Sequence, residues 1–297
     1  MSAAPQASPE AVAEVVAVAP PSERARRLSE AFNYRDRCQA SQGRLWMESY
    51  PPSHRLYLNM LQHRNERVCA LAGSGRRLLD VGCGLGDMLY LLRDRFETLV
   101  GMDPSADMVQ QCRRNLEQRG LGERATIVQA PAEGMDVPPR SFDTILMLDT
   151  YEHIHLDRRA EALRRVRRAL APGGRFILVT PSWARLHFWA LLDNLLTAPR
   201  QLRSGGPLRL WGTTPKPYTE IFCSRRTLLR DLRRAGFVAQ RFERVSFYPA
   251  PERPGFLAPH LHRLSQRPRL HGALERTFLT LQQLRVLNQK MLTLCSV

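Results

Sequence analysis

Leu78-Leu79-Asp80-Val81-Gly82-Cys83-Gly84-Leu85-Gly86 is the stretch that decides how this chain folds. Residues 77–82 read as a short buried strand, and alternate glycines then break it into a loop. A helix follows, to which Leu89–Phe96 is assigned. A second apolar run, 98–102, ends at Asp103, 21 residues after Gly82. Strand, glycine loop, helix and a second strand with a terminal acid describe a nucleoside-binding βαβ unit.

The loop also speaks to the ligand. A dinucleotide fingerprint spaces its glycines G-x-G-x-x-G and seats a pyrophosphate at the helix start. Here the glycines fall at 82, 84 and 86, and the next residue is Asp87, whose charge repels a phosphate. Asp80 precedes the loop. This pattern suits a ligand with a base, a ribose and a cationic amino-acid tail but no phosphate, which describes S-adenosyl-L-methionine (SAM). Gly82, Gly84 and Gly86 let the backbone approach it closely. Cys83 contributes backbone more than thiol, Asp80 lies near the methionine ammonium, and Asp103 accepts from the ribose hydroxyls.

Four stretches carry a family resemblance: L-L-D-V-G-C-G-L-G-D at 78–87, V-G-M-D-P-S-A-D-M at 100–108, F-D-T-I-L-M-L-D-T-Y-E-H-I at 142–154 and L-A-P-G-G-R-F-I-L-V-T-P at 170–181. The segment from about Arg76 to Val179 resembles a class I SAM-dependent methyltransferase of the type 11/12 group, which includes the ubiquinone-biosynthesis O-methyltransferases. The resemblance implies cofactor contacts at Gly82, Gly84, Asp103, Pro104, Met108, Ala132, Glu133 and Leu148. Met108 would pack on the adenine, although core packing suits it as well. Where the group has Gly-Asp-Ala-Glu, this chain has Ala130-Pro131-Ala132-Glu133, without the aspartate.

Asp149-Thr150-Tyr151-Glu152-His153 leaves strand four beside the expected sulfonium. Its counterpart in the ubiquinone-type enzymes reads E-V-I-E-H, where the acids and histidine can hold a divalent cation that orients a catechol. Three roles stay open for Asp149, Glu152 and His153: a structural pair, a general base at His153, or a Mg²⁺ site, which mixed carboxylate and imidazole ligands suit only loosely. No metal is assigned. Tyr218, in Pro217-Tyr218-Thr219-Glu220, replaces a histidine frequent in relatives and is an acceptor-site candidate.

The net charge of +16 invites nucleic acid as a partner. Among the 44 basic residues, however, lysine occurs only at 216 and 290. So extreme an arginine skew fits a coding bias better than selection for phosphate, and many arginines fall on helix faces, as in 158–168. No apolar run approaches the ~20 residues that span a bilayer, and the N-terminus lacks the pattern of a secretory signal. Six cysteines without metal-ligand spacing fit a reducing, cytoplasmic setting.

The fold class expected is α/β, a Rossmann-like doubly wound seven-stranded sheet with strand seven antiparallel, a helical N-terminal cap and two insertions. Residues 1–22, rich in Ala, Pro, Ser and Val, have the composition of a disordered tail. Residues 23–74 form the cap, with helices near 24–33 and 54–72, and 75–182 the SAM-binding core. Later strands are expected at 126–129, 142–148 and 175–180, with an arginine-rich helix over about 157–170 ending at Pro172-Gly173-Gly174. Residues 183–217 form a lid or insertion. Residues 218–297 complete the fold, with a helical insertion at about 250–288 before a final strand at 290–297. The aromatic stretch 183–196 reads either as a lid helix or as an interfacial helix giving a peripheral membrane contact through 183–203. The function expected is transfer of a methyl group to a small lipophilic or aromatic acceptor, at oxygen. The alternatives are an RNA methyltransferase and a catalytically silent SAM-binding scaffold.

Overall fold

The computed structural model describes residues 44–49, 55–182, 223–245 and 290–297, with scattered positions between 191 and 280. The expected tail at 1–22, the first cap helix, Tyr218 and most of both insertions, including the proposed membrane contact, lie outside the described residues.

Helix α1 (Arg55–Ala72) leads into strand β1 (Gly75–Val81), the glycine loop and helix α2 (Asp87–Leu91). Strand β2 (Phe96–Asp103), helix α3 (Ala106–Glu117), strand β3 (Ala125–Gln129) and strand β4 (Phe142–Leu148) follow. Helix α4 (Leu156–Ala169), strand β5 (Leu170–Pro181), helix α5 (Arg225–Arg234), strand β6 (Val238–Val245) and strand β7 (Lys290–Ser296) complete the order. The seven strands form one sheet in the order β3-β2-β1-β4-β5-β7-β6. The first five are parallel, and β7 runs antiparallel between β5 and β6. The expected seven-stranded sheet with an antiparallel seventh strand is therefore observed.

Alternation along the strands divides the core between two faces. Leu79 and Val81, Ile145 and Met147, Phe176 and Leu178, and Met291 and Cys295 point to one face, where α4 and α5 cover them with Leu163, Val166, Leu228 and Leu232. Leu78, Leu146, Ile177, Val179 and Leu292 point to the other, against Val68 and Leu71 of α1, Leu89, and Cys112 and Leu116 of α3. Helical spacing supplies the partners: in α1, Leu61, Asn65, Val68 and Ala72 are buried at intervals of three and four. Ser105 caps α3, its hydroxyl accepting from the Met108 N–H, and the chain turns away at Gly120 with φ +72°.

Two boundaries differ from the sequence expectation. Phe96 is not in the helix after the loop. That helix stops at Leu91, and Phe96 opens β2, buried and paired with Gly75. The arginine-rich helix ends at Ala169, not at Pro172, because β5 begins at Leu170 opposite Phe142. The carbonyls of Arg168 and Ala169 accept from the Arg140 and Ser141 N–H groups. Pro172-Gly173-Gly174 then forms an irregularity inside the strand, between the Phe142 and Thr144 pairs, instead of a helix stop.

Because β1 leads to β2 on one side and borders β4 on the other, the strand order reverses between β1 and β4. Their carboxyl ends therefore border a crevice, where this class of sheet binds ligands.

Candidate cofactor and acceptor site

The glycine loop is built around two hydroxyl- and carboxylate-bearing residues. At Gly82, φ is +80° and an added Cβ would lie 2.1 Å from the Thr150 hydroxyl oxygen. That hydroxyl sits 3.1 Å from the carbonyl oxygens of both Val81 and Leu148, tying the ends of β1 and β4 together. Gly84 (φ +53°) is different: a Cβ there would meet no protein atom within 4 Å. Its N–H donates to Asp103 Oδ2 (3.2 Å), while the Ser105 N–H donates to Asp103 Oδ1 (2.9 Å).

Asp103 and Asp80 are the acids at the ends of this frame. Burial pushes the Asp103 carboxyl up to about 6, opposed by the Ser105 and Gly84 N–H groups and by the charge of His153. Burial pushes Asp80 up to about 7, opposed by Arg64 and reinforced by Asp103 and Asp87. Both protonate more readily than a solvated carboxylate, and a cationic ligand would restore their charge.

Cys83 faces away from this side. Its thiol is buried and hydrogen-bonded to the free Cys112 thiol; that contact first, and burial second, raise it well above an ordinary thiol. Asp87, read from the sequence as excluding phosphate, has a further use. Its two carboxylate oxygens accept from the Trp46 N–H (2.9 Å) and the Met47 N–H (3.1 Å). Residues 44–49 are thereby strapped to the start of α2. Asn115 reinforces the strap by donating to the carbonyls of Arg44 and Leu85, and Arg119 pairs with Glu48.

Met108 is buried with Leu85, and the partly buried Trp46 packs against this pair. Leu148 ends β4 at the crevice, and Ala132 and Glu133 form a 3-10 turn after β3, with Ala132 buried. The Pro104 carbonyl accepts from the Gln129 side chain (3.3 Å). The cofactor residues read from the sequence thus fall along one edge of the sheet. Trp46 was not among them, because nothing local to it announces its contact with residue 108.

The Asp149–His153 stretch disperses. Asp149 adopts φ +52°, a left-handed conformation unusual for a non-glycine residue and typical of functional positions. Arg64 Nη1 lies 2.5 Å from its Oδ2, and Lys290 Nζ contacts the same oxygen. Burial opposes ionisation of Asp149, but Lys290 and Arg64 together hold its carboxyl below the usual range. Glu152 turns into the protein, where its Oε2 accepts from the Thr180 hydroxyl (2.9 Å). Burial, and then the charge of Asp149, push the Glu152 carboxyl up to about 8. His153 is half-buried and near enough to Asp103 for its charge to act there. Tyr151 anchors the turn, its hydroxyl donating to Asp231 (2.9 Å) and its ring lying under Arg159. Among the described residues, no group of three His, Cys, Asp or Glu side chains converges as a metal site.

Arg64 and Lys290 were also not singled out from the sequence. Arg64 is one arginine among many. Lys290 carried a faint signal, as one of only two lysines.

Comparison with known proteins agrees with this architecture. The methyltransferase-domain family matches residues 78–174. A fatty-acid O-methyltransferase of Mycolicibacterium smegmatis is 36% identical over 140 residues, 44% of this chain and 46% of that one. The aklanonic acid methyltransferase DauC of a Streptomyces species is 29% identical over 159 residues, 52% of this chain and 66% of that one. The chain spans about half the length of the curated relatives it matches. Among solved structures, the [4+2]-cyclase SpnF aligns with a TM-score of 0.60 at 20% identity, covering 95% of this chain and 98% of that one. A geranyl diphosphate methyltransferase bound to SAM aligns at 0.53 and 18% identity, covering 82% of this chain and 89% of that one. At such identities the structural matches establish the fold alone, and a cyclase among them illustrates that a fold does not fix a reaction.

Proposed function

We propose that this chain, whose residues 78–174 are a class I SAM-dependent methyltransferase domain, moves a methyl group from SAM to an oxygen of a small lipophilic or aromatic acceptor. The observation that carries the cofactor half is Gly84. Its N–H orients Asp103, its left-handed backbone favours glycine, and the protein places nothing where its Cβ would point. Asp103 is thereby held ready for the ribose hydroxyls. Arg64 acts electrostatically on Asp80, Asp87 and Asp149. A guanidinium among carboxylates matches the opposite charges of an amino-acid tail. Trp46, Leu85 and Met108 offer an apolar wall for the adenine. The cofactor, when bound, supplies an activated methyl on a sulfonium. The chain's own task is then to align acceptor and methyl in line and to exclude water.

An oxygen acceptor is supported by the fatty-acid O-methyltransferase among the relatives, and a lipophilic one by that protein and by the aklanonic acid enzyme. Whether His153 acts as a base depends on the acceptor's acidity: an acid or phenol arrives already ionised, an alcohol does not. Mg²⁺ is not assigned to this function. Cytoplasmic location with peripheral membrane contact through 183–203 belongs to the same proposal, and a Trp183→Ala/Trp189→Ala variant should float less with anionic liposomes than wild type.

The decisive experiment is calorimetric titration with SAM, followed by turnover of radiolabelled SAM against fatty acids, polyketide phenols and RNA. Binding with methylation of a lipophilic acceptor is the expected result. Salt-sensitive methylation of RNA alone would replace the proposal, and SAM binding without turnover on any acceptor would favour a silent scaffold.

A further inference from the structure

A divalent metal fits Asp149, Glu152 and His153 poorly. Asp149 Oδ2 is already held by Arg64 and Lys290. Asp149 Oδ1 is buried and has no hydrogen-bond partner among the described residues, but an ion reaching it would lie within a carboxylate's width of two cations. Glu152 is turned to Thr180. Among the described residues, and with these two cations in place, the three side chains form no metal centre.

We propose that the Lys290 ammonium is the fixed cation of this site, standing where the Asp149–His153 constellation would otherwise hold a divalent metal, and that methyl transfer here requires no metal. The inference rests on the methyl-transfer reading and adds to it.

Position supports the assignment. Lys290 is the first residue of β7, paired with Pro181 at the end of β5 and with Val245 at the end of β6. Its backbone is therefore fixed at the same sheet edge as Asp149, and its side chain is only 18% exposed. Composition supports it independently. This chain uses arginine at 42 of its 44 basic positions, yet places a lysine here. A guanidinium is a broad planar fork, whereas an ammonium is a compact point charge, closer in size and shape to a metal ion. Arg64, on α1, meets the same Asp149 oxygen, so two cations face one carboxylate and the site carries net positive charge.

Manganese binding tests this without any acceptor. Wild type, Lys290→Arg, Lys290→Gln and Lys290→Met would be dialysed against EDTA, checked for folding by circular dichroism and titrated with Mn²⁺ under electron paramagnetic resonance. Wild type and Lys290→Arg should bind no Mn²⁺ at millimolar concentration. The charge-removed variants should bind at least about tenfold more tightly, as removal of a like charge beside the site requires. The methionine variant serves if glutamine prevents folding, since Arg64 still pairs with Asp149 when the lysine charge is gone, so no buried charge is left alone. Submillimolar Mn²⁺ binding by wild type, or no gain in a folded charge-removed variant, overturns the proposal. EDTA-dialysed wild type should also turn over acceptor as fast as with added Mg²⁺, and a several-fold rise on adding Mg²⁺ overturns it. Failure of SAM to bind, by contrast, strikes the methyl-transfer reading and leaves the Mn²⁺ result to speak for Lys290 alone.

Discussion

The loop after β1 and the edge where the end of β4 faces the start of β7 across β5 lie close in the sheet but are held by opposite means. At the loop, carboxylates are oriented by backbone N–H groups: Gly84 and Ser105 hold Asp103, and Trp46 and Met47 hold Asp87. Both Asp103 and Asp80 are raised by burial, because cations nearby do not fully compensate it. At the β4–β7 edge, Asp149 is oriented by side-chain cations, Lys290 and Arg64, and is lowered despite burial. One half of the crevice thus has its buried carboxylates only partly compensated by Arg64, and the other has a carboxylate met by two cations. A cofactor with a positive tail and sulfonium matches the first, and an electron-rich acceptor matches the second.

The strongest way to break this comparison is at its shared hinge. Gly82→Val would drive a side chain into Thr150, which ties the two halves together, at a left-handed φ. A loss of about 4 kcal/mol in unfolding free energy is expected from overpacking and strain combined. Urea denaturation with an unchanged midpoint would show that the Thr150 contact does not join the halves.

A smaller effect separates the halves. Asp103→Ala should weaken SAM binding by about 1.5–3 kcal/mol, through loss of charge-assisted hydrogen bonds to the ribose. Calorimetry on a folded variant with unchanged affinity would remove Asp103 from the cofactor site. Gly84→Ala should behave likewise for SAM while costing only about 1–2 kcal/mol of stability, since strain but no protein clash opposes it.

The protonation behaviour of Glu152 gives a third test, on the order of 1–3 kcal/mol. Its carboxyl is raised from 4.5 to about 8, so the folded state favours its protonated form. The stability it contributes is fully present below pH 4.5 and is lost as pH rises through about 8. Glu152→Gln should flatten the fall in melting temperature across that window. An unchanged slope would mean that the glutamate is solvated in solution.

The mildest expected change is at the strap. Trp46→Ala should weaken SAM binding by about 1 kcal/mol, by removing apolar contact beside Met108 and Leu85. If affinity is unchanged while the melting temperature falls, Trp46 packs the fold and does not face the adenine.

The loop and its second acid were legible because they are local. Strand hydrophobicity, glycine spacing and Asp103 at a fixed interval all express contacts within one βαβ unit, and each appeared at the expected sheet edge. Asp149, Glu152 and His153 were legible as residues but not as a constellation. Asp149 lies before the turn at Tyr151–His153 and meets Lys290, whereas Glu152 within the turn meets Thr180. The helix ends misplaced at Leu91 and Ala169 were set by strand pairing with Gly75 and Phe142, which local propensity does not encode.

By itself, then, the sequence determined the α/β class, the glycine loop and the placing of Asp80 and Asp103 beside it, because periodicity and glycine spacing report short-range geometry. Only the tertiary structure decided which charges meet. Arg64 and Lys290 lie 85 and 141 residues from Asp149 along the chain. Their meeting depends on the order of strands β4, β5 and β7 and on α1 packing across one face of the sheet. The physical reason is that an ion pair is selected by distance in space, and no pattern within a local window of the chain records that distance.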